Sequence, residues 1–216
     1  MTHQFTRFFF VVVLALGASA CAVDRSVIAL QQAEEFKNPT DGTAVKITEV
    51  KDARIFLAAP PTPDIPSLSD REDNSAAIKS RAIARKRNGY GMAIGDVILP
   101  EGQTVAGVVE KAIAEGFKGA GYRVHKPGDS GYDVAASISA RIDQFWAWVN
   151  IGFASGTLNN KSTVNVRAPL PGLEQGADVN VHVKESLMAV FESDWQAISL
   201  RGLKELTKAV REKLKK

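Results

Sequence analysis

Apolar positions along this chain recur with two periods, and the period assigns the element. Val105, Val108, Val109, Ala112, Ile113 and Phe117 form one helical stripe, while Glu110, Lys111, Glu115 and Lys118 take the opposite side. Thr104 offers the hydroxyl that caps the first turn, and Gly119 and Gly121 are natural stops. A second helix opens near Ser193 or Asp194 and carries Trp195, Ile198, Leu203, Leu206, Val210 and Leu214 at helical spacing. Its tail, from Lys204 and Lys208 through Arg211 to Lys216, places cations where the helix dipole is negative. A basic amphipathic helix can lie on an anionic membrane, but Glu205 and Glu212 dilute the charge, and packing on a sheet is the commoner fate.

Elsewhere the period is two. Residues 44–50 (Ala-Val-Lys-Ile-Thr-Glu-Val) alternate as a half-buried strand. A longer strand runs from Tyr132 to about Val149, with Val134, Ala136, Ile138, Ala140 and Ile142 on one face. Two more, 161–168 and 177–184, follow as a meander of antiparallel neighbours, with 152–160 and 169–176 as loops. Shorter candidates are 26–30, 122–124 and the basic stretch 78–87, the last readable as an edge strand or a short helix. Four prolines between Pro60 and Pro66 cannot donate to a ladder and predict an extended surface loop. Residues 89–95 are glycine-rich but lack the Gly-Lys-Ser/Thr of a phosphate loop, so a turn or bulge is expected. The sum is an α+β fold: an antiparallel or mixed sheet of about five to six strands, with two amphipathic helices on one face.

The first 20 residues follow neither period. Polar residues up to Arg7 precede an unbroken apolar run, Phe8 to Leu16, far shorter than the ~20 residues a membrane-spanning helix needs. Small residues (Gly17, Ala18, Ser19, Ala20) then lead to Cys21, the one cysteine in the chain, as in a lipoprotein export signal, with Ala18 where leucine is more usual. A lone cysteine has no internal disulfide partner. The expectation is a cleaved leader (1–20), a diacylglycerol- and palmitate-bearing Cys21, a tether and domain entrance (21–43), and one periplasmic domain (44–216). Ala22 follows the cysteine in place of the aspartate that signals inner-membrane retention, so the outer membrane, periplasmic face, is expected.

Charge adds little to that picture. The leader holds one of the 27 basic residues and none of the 24 acidic ones, leaving 26 against 24, without the dense basic stripe that nucleic acid requires. The aromatic run Phe145, Trp146 and Trp148 loads both faces of the long strand. Either a second layer covers it, the commoner case, or it is an exposed patch for a protein partner or lipid. His125 and His182 lack the ligand spacing of a zinc site, and no nucleophile elbow occurs. Asp133 and Asp143 are ten residues apart on one strand, about 33 Å, too far to act as paired carboxylates. Asp52 and Arg54 are expected to form an ion pair closing a strand end. No catalytic residue, metal or cofactor is expected.

The order of lipobox cysteine, Val-Lys-Ile-Thr-Glu-Val-Lys-Asp-Ala-Arg at 45–54, Ile94-Gly95, the helix from Thr104 ending in Gly121-Tyr122-Arg123-Val124, and the long strand from Asp133 resembles the YajG-type bacterial envelope lipoproteins. The resemblance implies an anchored α+β domain of unassigned role with no catalytic residues to carry over. Function is expected to be binding or assembly through a sheet edge or the aromatic patch. The alternative is a carrier for lipid or another apolar ligand, which would need a cavity between sheet and helices.

Overall fold

The computed structural model describes residues 25–31, 35–70, 73–152 and 155–215. The leader and Cys21 lie outside them. Eight strands form one mixed sheet: β1 (Ser26–Val27), β2 (Ala44–Asp52), β3 (Ala82–Arg87), β4 (Ala93–Ile98), β5 (Arg123–His125), β6 (Ala136–Ile151), β7 (Gly156–Arg167) and β8 (Ala177–Leu187). Among the described residues three helices accompany them: α1 (Ala76–Arg81), α2 (Val105–Gly119) and α3 (Glu192–Lys213). The sheet is larger than the five to six strands expected, and four of its pairings, β1 with β4, β2 with β5 and β6, and β3 with β6, are parallel. β6, β7 and β8 form the expected antiparallel meander.

The organising element is β6. One edge pairs with β7 from Ser139 to Ile151, while the other pairs first with β2, up to Ile142 opposite Asp52, and then with β3, where Ala147 lies opposite Ala84. Two strands thus share one edge, and a fork opens between them. Basic stretch 78–87 divides into a short helix and a strand, with α1 ending at Arg81 and β3 starting at Ala82, but β3 lies between β4 and β6 and is not the edge strand expected.

Three local expectations change. The turn expected over 89–95 is confined to 89–92, because residues 93–98 form strand β4, with Gly95 and the buried Asp96 in its middle. The loop expected over 152–160 is shorter, because β7 already starts at Gly156 and buries Asn159 and Asn160. Ile28 and Leu30, in the expected tether, are buried in the core.

α2 and α3 pack on one face with Phe117, Ile113, Phe145, Leu203 and Leu206 fully buried between layers. Thr104 caps α2 as expected, its hydroxyl accepting from Gly107 N at 3.1 Å. The helices touch at Gly116, where an added Cβ would lie 2.7 Å from Val210 Cγ1 and 3.0 Å from the Thr207 carbonyl oxygen. Gly116→Val should therefore cost about 1–3 kcal/mol through overpacking, read as a lower denaturation midpoint at unchanged slope. An unchanged midpoint would mean that the helices separate freely.

Candidate functional site

Phe145, Trp146 and Trp148 are 0%, 0% and 6% exposed, so the aromatic run is interior and presents no surface patch. Successive side chains alternate between faces: Phe145 joins the core under the helices, whereas Trp146 and Trp148 pack on the opposite face with Leu68, Ala82 and Ile98. The cover there is the proline loop. Trp146 Nε1 donates to Pro63 O at 3.2 Å, Gln144 Nε2 donates to Asp64 O at 3.1 Å, and Phe56 meets the Trp146 ring edge-on at 5.9 Å.

Asp52 and Arg54 form the expected pair, with Arg54 Nη2 2.8 Å from Asp52 Oδ2. The guanidinium does more than close a strand end. It lies in the fork of the sheet, where Nη1 donates to Ala82 O and Phe145 O and Nη2 to Lys79 O, at 2.6, 3.1 and 2.8 Å. Two of those carbonyls belong to β3 and β6, which border the fork, and the third to α1, where Lys79 O also accepts from Ala82 N, so one side chain ties three elements together.

His125 is half-buried in β5 beside Gly131. His182, on β8, stacks on Trp148 at 5.4 Å and meets Asn159 Oδ1 at 3.1 Å. Partial burial, then the Lys184 and Lys161 cations, hold its pKa below the ordinary histidine value, so the ring is neutral at pH 7. Among the described residues no group of three or more His, Cys, Asp or Glu is arranged to hold a metal ion.

At the entrance of the chain, Arg25 Nη2 donates to Asp96 Oδ2 at 3.2 Å, and the Asp96 carboxylate also accepts from Ser69 N. The next side chain, Ser26, accepts from Lys86 Nζ at 2.8 Å and donates to Glu192 at the start of α3. Both Ser26 and Lys86 are buried. The chain is therefore pinned to the sheet within a few residues of Cys21.

The surface open to a partner is the far edge of β8. β7 pairs with one side of this 11-residue strand, and among the described residues no strand pairs with the other. Arg201 Nη2 donates to Lys184 O at 2.6 Å, which fixes the parity of the strand. In an antiparallel ladder the N–H and C=O of one residue point the same way, so those of Asn180 and His182 face outward with Lys184. Between this edge and α3 lies a groove of about 420 Å³, walled by Asn180 to Lys184 and by Arg201, Glu205, Lys208 and Glu212. The helix wall alternates in charge along its length. A long open edge with a polar groove beside it is the geometry that accepts an added strand. Alternation identified β8 in the sequence, but its edge position depends on the order of strands in the sheet.

No family model matches the chain, and no curated protein does. Among solved structures it is similar to a protein from Xanthomonas campestris of the family described as DUF330, at 13% identity and a TM-score of 0.46, covering 89% of this chain and 93% of that one. An uncharacterized protein matches at 6% identity and a TM-score of 0.43, covering 87% and 98%. A candidate lipoprotein of Caulobacter crescentus CB15 matches at 11% identity and a TM-score of 0.30, covering 50% and 75%. None of the three carries the YajG name. Among the described residues no helix is long and apolar enough to cross a membrane.

Proposed function

We propose that this chain is a lipid-anchored, non-catalytic binding or assembly factor on the periplasmic face of the outer membrane. Its open β8 edge receives an extended segment of another envelope protein. The observation that carries this reading is the outward-facing backbone of Asn180 and His182 beside the charged groove of α3. Strand addition takes its affinity from main-chain hydrogen bonds and its selectivity from the flanking side chains, here Arg201, Glu205, Lys208 and Glu212. A carrier of apolar ligands is less well supported, because Phe117, Phe145, Leu203 and Leu206 fill the space between sheet and helices.

A photo-crosslinking residue at His182 should capture the partner in intact envelopes, whereas one at Asp143, on an exposed part of β6, should not. Asn180→Pro removes an outward N–H without touching the β7 ladder, and edge strands tolerate proline. It should lower capture about tenfold, the effect of roughly one backbone hydrogen bond and its alignment, while leaving the unfolding midpoint nearly unchanged. Equal capture by both forms would remove the β8 edge as the binding surface.

A further inference from the structure

Among the described residues nine large apolar side chains are exposed: Val27, Ile55, Leu57 and Val134 are scattered, and the other five gather. Tyr90, Met92, Ile151, Met188 and Phe191 are 92%, 60%, 48%, 91% and 67% exposed. All five lie at one end of the sheet. Ile151 pairs with Gly156 and Gly156 with Leu187, which puts the end of β6 beside the end of β8. β3 runs parallel to β6 with Ala84 opposite Ala147, so the β3–β4 hairpin carrying Tyr90 and Met92 turns at the same end. The two loops that the structure describes in full there, 88–92 and 188–191, contain no Asp, Glu, Lys or Arg, in a chain that is 24% charged. At the opposite end the turn before β6 contains Lys126, Asp129 and Asp133.

The chain enters from the uncharged end. β1 is parallel to β4 with Ser26 opposite Val97, so the residues before Ser26 come from the side of Ala93 and the hairpin. Ser26 also bonds Glu192, the neighbour of Phe191. The five steps from Cys21 to Ser26 span at most ~18 Å, and the four from Val97 back to Ala93 cover ~13 Å. An acylated Cys21 therefore has enough chain to reach the level of the hairpin and little to spare.

We propose that this end of the domain rests on the bilayer, with Tyr90, Met92, Met188 and Phe191 immersed at the level of the lipid headgroups. The inference deepens the anchoring reading and rests on it. The acyl chains hold the domain at the membrane, and the uncharged loops fix which end faces it, leaving the strands upright and the β8 edge at Asn180 and His182 clear of the bilayer. Uncharged, aromatic- and methionine-bearing loops suit the interface, where apolar side chains are favoured and charges are not.

Because Cys21 is the one native cysteine and is consumed by acylation, Met92→Cys, Met188→Cys and Val134→Cys each give the lipidated full chain a single thiol for a polarity-sensitive fluorophore. Val134, 88% exposed at the opposite end, is the control. The proteins are reconstituted in phosphatidylethanolamine and phosphatidylglycerol vesicles containing headgroup-level spin-labelled lipid, and flotation is measured alongside. Immersion by about 5–10 Å should cost the labels at positions 92 and 188 most of their emission and leave the one at 134 unchanged. Flotation with all three labels unquenched, or with 134 quenched as strongly, would overturn the orientation and leave the anchor standing. If Cys21 carries no acyl chain, the same labels on a Cys21→Ser background decide. Measured at a large excess of lipid, where a weak contact is populated, quenching at 92 and 188 would then uphold the surface without the anchor, and no quenching even there would end both.

Discussion

Arg54→Ala is expected to lower folding stability by about 3–5 kcal/mol, the range for breaking a buried charged pair. The guanidinium is fully buried and makes hydrogen bonds to Asp52, Lys79, Ala82 and Phe145. Removing it strands the Asp52 carboxylate, which is 19% exposed, and takes their Arg54 donor from the Ala82 and Phe145 carbonyls at the fork, while Lys79 O keeps the Ala82 N–H. Each buried acceptor left unpaired costs about 1–3 kcal/mol. The loss is large against a total stability of about 5–15 kcal/mol for a typical domain. Arg54→Lys should recover only part of it, since one ammonium cannot span acceptors on both sides of the fork. Asp52→Asn should cost less than either, because the guanidinium keeps its three carbonyl partners. Urea denaturation measures all three. A cost below about 1 kcal/mol for Arg54→Ala would place the pair with ordinary surface salt bridges and mean that the fork is closed by other contacts.

The pair itself was legible in the sequence, and its importance was not. Asp-x-Arg at a strand end says that two charges meet; the fork exists because β6 changes neighbours, a property of strand order. The same divide runs through the rest of the chain. Both long helices and the β6–β8 meander were visible because one face of each is apolar. β4 was hidden because Gly95 and the buried Asp96 interrupt its alternation, and the charges that satisfy Asp96 come from Arg25, just before β1, and Arg85 on β3. The start of β7 was taken for a loop because asparagines favour turns, yet Asn160 is buried against α3. An added Cβ on Gly202 would lie 2.1 Å from its Oδ1, so the helix approaches this closely only with glycine there. The tryptophans read either as covered, the commoner case, or as an open patch, and what covers Trp146 is a proline-rich segment that reads as solvent-exposed, while His182 stacks on Trp148.

Cys21→Ser is expected to move nearly all of the protein from the membrane to the soluble fraction, the largest change in location that any single substitution should produce. Each buried methylene contributes about 0.8 kcal/mol, so one long chain already gives reversible binding and two give stable anchoring. A diacylglycerol thioether with an N-linked chain would supply three. Among the described residues no helix is long and apolar enough to span. The uncharged end is a handful of side chains, which can orient a tethered domain but should release an untethered one on dilution, since their contact is weak and reversible. The expected signature is therefore sharp: wild type incorporates radioactive palmitate and resists a carbonate wash, while Cys21→Ser takes up no label and washes off. If Cys21→Ser still sediments after carbonate, the hold lies in the protein surface or in a partner. The short reach from Cys21 to Ser26 would then no longer decide which end of the sheet faces the membrane.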